Sequence, residues 1–295
     1  MTNFKDILLD ALLDSLKILP FLFIFYIIME LIENKTGISS KKRILEGQFA
    51  PLLGAASGII PQCGFSIMAS KFFDKNLIRM GTLLAVFIAS SDEALILLLT
   101  ENGGEKASII LPIILIKFIS AIAIGYLVNL FVKNKKLKNP EEVEEIHGSS
   151  CGHDHKKDSA VKTFLLHPLL HSLKIFLFIF VINLVFGLIV AGITEDRLKT
   201  ILQQGLWLQP LFAALVGLIP NCASSVVLTE AFINPAGISF GALMAGLSAN
   251  AGLGLLFLLK NRKEWKRNLL ILAILFVSSL AIGYITQGVC LLFNK

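Results

Sequence analysis

Charge is scarce in this chain. Only 16% of its 295 residues are Asp, Glu, Lys or Arg, whereas soluble domains run nearer about 25%. Cysteine is scarce too: four thiols, at 63, 151, 222 and 290, make no dense disulfide framework. Cys63 and Cys222 lie within apolar sequence, which argues for reduced thiols. No GxxxxGK[ST] loop or other nucleotide-binding signal occurs, so ATP-driven pumping by this chain alone is not expected. No CxxC pair occurs, which removes the usual signature of a thiol oxidoreductase. The amphipathic, acidic start "MTNFKDILLDALLD" lacks a basic n-region and a small-residue cleavage site, so it does not read as a signal peptide.

Apolar sequence fills the space that charge leaves. The chain is 55% hydrophobic, and runs such as 172–193, "SLKIFLFIFVINLVFGLIVAGI", are long enough to cross a bilayer. The expected class is an all-α polytopic membrane protein of the cell (inner) membrane, with the lipid bilayer as its solvent. The net charge of +6 sits mainly in loops, where membrane topology explains it, and no nucleic-acid partner is expected.

The chain is written twice. "FKDILLDALLDSLKI" begins at 4 and "VKTFLLHPLLHSLKI" at 161; "APLLGAASGIIPQCGFS" begins at 50 and "QPLFAALVGLIPNCASS" at 209; "FISAIAIGY" begins at 118 and "FVSSLAIGY" at 276. Three matches in one order at a nearly constant spacing mark a duplicated unit. The expected organisation is a first transmembrane repeat over 1–132, a His-containing linker over 133–160 and a second repeat over 161–295. Internal repeats recur among transporters, with sites near the midplane where the repeats meet.

Each half carries three long apolar segments: 16–33, 77–100 and 107–132, then 172–193, 237–259 and 268–293. Between the first and second lies a segment broken by proline, 49–73 or 208–232. A piece of a dozen residues rises only about 18 Å, short of the roughly 30 Å hydrocarbon core. The two pieces either continue as one kinked span or fold back as a re-entrant hairpin. The hairpin gives three crossings per half and inverts the second repeat. It gathers the basic loops 34–48, 74–79, 133–163 and 260–267 on one side, as the positive-inside rule requires. Two inverted repeats, each with three spanning helices and one re-entrant hairpin, are therefore expected, with both termini outside and the linker cytoplasmic.

The residues after each proline would begin a half-helix, whose free N–H groups favour anionic ligands, a thiolate among them. Around the two thiols stand Gln62, Gly64 and Ser66, then Asn221, Ser224 and Ser225. A lone PxC is more simply a kink beside a small buried thiol. Two at equivalent repeat positions point to a substrate site. Thiolates with amide and hydroxyl oxygens suit Zn(II), Cu(I) or trivalent arsenic and antimony better than Mg(II) or Ca(II).

A second polar cluster, "SSDEA", interrupts an apolar run with Asp92 and Glu93; its repeat partner offers Ser248 and Asn250. Carboxylates within the membrane mark ion or proton paths, although these two could instead lie solvated at the outer interface. Adjacent on a helix, they would face different sides. Lys117, in the next segment, is a candidate carboxylate partner for coupling, with snorkelling to the interface as the plainer alternative. In the linker, His147, Cys151, His153 and His155 have the chemistry of a weak metal-collecting site, or of a solvated tail with incidental histidines.

"GIIPQCGFS", "SSDEA", "GLIPNCASS", the duplicated halves and the His-containing linker together resemble the ten-helix heavy-metal or arsenic exporters, a group also described as manganese transporters. They are distantly similar to the organoarsenical permeases, which carry a proline–cysteine motif in each half. The permeases place a second cysteine close to the first; here Gly64 and Ala223 follow instead. The resemblance implies export of a metal or metalloid ion in exchange for protons, with no enzymatic activity and no cofactor. A homo-oligomer stays open. Other readings are a manganese carrier using Asp92, Glu93 and Asn250, a membrane thiol oxidoreductase, or a passive anion channel, against which the carboxylates argue.

Overall fold

The computed structural model describes residues 49–59, 63–74, 76–90, 109–132, 205–220, 222–233, 237–260 and 264–293, with isolated positions elsewhere; for Cys63, Gly64, Cys222 and Ala223 it gives backbone only. The chain divides into two compact units. One comprises Met1–Leu45 and Lys138–Glu195, the other Glu46–Leu137 and Asp196–Lys295. Each takes chain from both halves, and nearly all described residues belong to the second.

Nine helices and no strand occur among the described residues. The first half gives α1 (Ala50–Gly58), α2 (Cys63–Asp74), α3 (Met80–Ala89) and α4 (Ile110–Phe131). The second gives α5 (Gln209–Gly217), α6 (Cys222–Ile233), α7 (Phe240–Ala249), α8 (Gly252–Lys260) and α9 (Trp265–Phe293). The duplication is legible element by element: α5, α6 and α7 match α1, α2 and α3 in order and length. α1 and α5 each open on a proline in the first turn, where a missing N–H costs nothing. Each closes just before an Ile-Pro pair, because the residue preceding proline is pushed out of the α region.

α3 and α7 form the centre. Every residue of α3 is buried, as is every residue of α7 after Phe240, and such helices are apolar all round. α3 packs on α1, α2 and α4; α7 packs on α5, α6 and α9; and α7 also meets α3 and α4, which joins the halves. Glycines permit the closest approaches. A methyl group at Gly81 would overlap the Gly125 carbonyl, and one at Gly241 would come within 2.7 Å of the Gly283 carbonyl. These pairs occupy equivalent places in the two repeats.

α4 and α9 are each long and apolar enough to span a membrane. Large apolar side chains at Leu111, Leu115, Ile119, Val277, Ile285 and Leu292 stand exposed along them, as lipid-facing residues do. They match the expected segments 107–132 and 268–293. The expected segment over 237–259 is built of two helices, α7 and α8, which together are long and apolar enough to span but are bent by 41° at a short break. The expected run over 77–100 is likewise interrupted, since α3 stops at Ala89 and Ser90 is extended at φ −60°, ψ 132°. Segments 16–33 and 172–193 lie outside the described residues.

At the turn after α2, Asn76 adopts φ 56°. Asn76 N–H donates to the Phe73 carbonyl and Leu77 N–H to the Phe72 carbonyl, the double bond of a Schellman cap. Arg267, in the first turn of α9, seals this end. It donates to Asn76 Oδ1 at 3.0 Å and to the Phe73 carbonyl at 3.3 Å, and its guanidinium lies 4.0 Å from the centre of the Phe73 ring.

Gly81→Ala is expected to destabilise the protein by about 1–3 kcal/mol through overpacking. Gly288→Ala, whose added methyl meets nothing within 4 Å, should be neutral or stabilising by about 0.5–1 kcal/mol. Thermal melting of the purified protein in detergent distinguishes the two.

Candidate functional site

The two proline breaks end in the same way. α2 begins at Cys63 and α6 at Cys222, each two residues past its proline. Each thiol-bearing residue therefore occupies the first helical position, where backbone N–H groups have no intrahelical acceptor. The neighbouring Gln62 and Asn221 lie outside the described residues.

One turn further in, the small polar residues are buried. Ser66 is 2% exposed, Ser224 0% and Ser225 1%. Ser70 Oγ lies 2.8 Å from both the Ser66 and Gly254 carbonyls and donates between them. This ties α2 to α8, across the two halves. Gly254 allows it, because a methyl there would stand 2.6 Å from the Ser66 carbonyl. In the second half Thr229 Oγ1 donates to the Ser225 carbonyl at 2.7 Å, and Ser224 Oγ reaches back over the break to the Ile219 carbonyl at 3.3 Å.

A second pair of breaks is the feature the sequence reading missed. α3 and α7 both end on an extended residue, Ser90 and Asn250. The signal was present in short polar residues that cap and turn: "SS" in one half, "NAG" in the other. Asn250, expected among the substrate ligands, has a local task. Its Oδ1 accepts from Gly252 N–H at 2.9 Å, capping the start of α8, while Gly252 takes φ 53°, which a glycine adopts without strain. The two breaks touch: Ser90 Oγ donates to the Phe87 carbonyl at 2.7 Å and approaches the Asn250 carbonyl at 3.3 Å.

Lys117 closes this junction. It projects from the middle of α4, is 1% exposed, and does not snorkel. Its Nζ donates to the Ser90 carbonyl at 2.5 Å and to the Leu247 carbonyl at 2.7 Å. The equivalent position in the second repeat is Leu275, fully buried. Lys117 was expected to meet a carboxylate; among the described residues two backbone oxygens lie against it, at Ser90 and Leu247. Asp92 and Glu93 lie outside the described residues, as do His147, Cys151, His153 and His155. Among the described residues no group of three His, Cys, Asp or Glu is placed to hold a metal.

The opposite ends of α3 and α7 are also served by distant side chains. Asn129 Oδ1 accepts from Gly81 N–H at 3.0 Å. In the second half Gln209 Oε1 accepts from Ser239 N–H at 2.9 Å, and Ser239 Oγ donates to Gln287 Oε1 at 3.1 Å. Both central helices are thus held at each end by side chains from other elements.

A family profile described as "Putative, 10TM heavy-metal exporter" matches residues 9–194 and 171–290. The chain belongs to that family. The resemblance seen in the motifs is therefore shown, and the chain is a multi-pass membrane protein of a metal-transporting family. No curated protein and no solved structure matches it.

Asn250→Ala is expected to cost about 1 kcal/mol by removing the cap on Gly252. Asn250→Ser, which keeps an acceptor, should recover most of that loss in the same melting assay.

Proposed function

We propose that this exporter is a secondary active transporter that moves a thiophilic metal or metalloid ion outward in exchange for protons. The observation that carries this reading is the placement of Cys63 and Cys222 as the first residues of equivalent helices. A thiolate at a helix N-terminus is stabilised by the local N–H groups. Two such thiolates with Gln62, Ser66, Asn221, Ser224 and Ser225 form a ligand set for a soft ion near the midplane. Gly64 follows Cys63 in this set and adds no side chain to it.

Asp92 and Glu93 follow the break at Ser90 and serve as proton carriers in this reading, with the fixed charge of Lys117 at the same junction. The halves are taken as inverted repeats and α1–α2 and α5–α6 as re-entrant hairpins, which the charge distribution of the loops supports. The cytoplasmic linker, through His147, Cys151, His153 and His155, gathers the ion before transport. The protein resides in the inner membrane with both termini outside.

Everted vesicles with an imposed proton gradient test this with arsenite, antimonite, zinc, copper(I) and manganese. Wild type should accumulate a thiophilic ion. Cys63→Ser/Cys222→Ser should abolish that accumulation, and either single variant should weaken it by roughly tenfold or more. Manganese accumulation indifferent to both cysteines would overturn the assignment and move the site to Asp92 and Glu93.

A further inference from the structure

Lys117 is the one ionisable side chain buried by α1, α3, α4 and α7 among the described residues. An ammonium group taken out of water inside an apolar helix bundle is costly unless oxygen atoms replace its hydration shell. Two of the replacing oxygens, the carbonyls of Ser90 and Leu247, have a common origin. In an unbroken helix the Leu247 carbonyl would accept from residue 251, and the Ser90 carbonyl would sit within a continuing turn. The breaks after Ala89 and Ala249 release both. Each lies at a helix C-terminus, where the peptide dipoles present negative charge.

Two freed carbonyls from two broken helices, converging on one positive charge, form the kind of oxygen site in which transporters hold a monovalent coupling cation. Further oxygens lie in the same turns. Ser248 Oγ is fully buried and has no hydrogen-bond partner, and Ser90 Oγ borders the Asn250 carbonyl. We infer that the junction of α3 and α7 is a monovalent-cation site that the chain fills with its own Lys117 ammonium. The cation is thereby a fixed part of the protein, and neither its folding nor its transport draws sodium or potassium from solution. This inference rests on the junction and not on the identity of the exported ion.

Lys117→Ala tests it by emptying the site while leaving the carbonyls in place. Purified wild type and variant are melted in detergent while NaCl, KCl or methylammonium chloride is titrated against choline chloride at constant ionic strength. Wild type should shift by less than about 1 °C with any of the salts. The variant should melt roughly 5 °C or more lower in choline, and at least one small cation should restore half or more of that loss saturably. A depressed variant that none of the three cations restores would overturn the inference, as would a variant as stable as wild type. Stabilisation of wild type by sodium or potassium over choline would overturn it too. That last arm decides the matter if Lys117→Ala yields no folded protein, because it needs only the wild type. Since the readout is melting rather than transport, failure here leaves the cysteine site untouched, and failure of the vesicle experiment leaves this inference standing.

Discussion

A backbone carbonyl in the interior of a bilayer has no water to accept from, and every helix that stops there creates several in need of a donor. This constraint organises the central unit. The end of α3 and the end of α7 are brought to one place, where one ammonium and one hydroxyl can serve oxygens from both. The beginnings of the same helices are served by Asn129 and Gln209 from neighbouring helices, and by α7's own Ser239, which Gln287 holds in place. The glycine contacts of Gly81, Gly125, Gly241 and Gly283 follow from the same need, since a side chain reaches a distant backbone only when the helices lie almost in contact.

The proline breaks start the cysteine-bearing helices and the polar breaks form the junction, and the two are coupled by packing. α2, which starts at Cys63, is tied through Ser70 to α8, which starts beyond Asn250. A shift at one kind of break therefore reaches the other through a glycine contact with no slack. In a transporter that alternates between two arrangements, rigid links of this sort let binding at one site bias the state of another.

Much of this was legible in the sequence. Proline disrupts a helix for local reasons, so Pro61 and Pro220 located the first pair of breaks and the starts at Cys63 and Cys222. The repeats were legible because both copies keep the same residues at the same spacing. The breaks at Ser90 and Asn250 were not, because "SSDEA" and "SANAG" were read as polar groups carried on continuing helices, and serine and asparagine are tolerated inside helices. The partners of Lys117 were less legible still. Two of them are backbone oxygens 27 and 130 residues away, and a carbonyl leaves no mark on side-chain pattern.

The lysine has no counterpart: its repeat equivalent is Leu275. Two identical copies of the half-chain, associating as separate molecules, would have brought either two lysines or two leucines to the junction. Two ammonium groups would repel there, and two leucines would leave its carbonyls without a donor. Joining the copies in one polypeptide removes that dilemma, because the two positions become free to differ. The buried ammonium at this junction is thus a reason for the fused chain to persist, as it could not be reproduced by any symmetric pair of its halves.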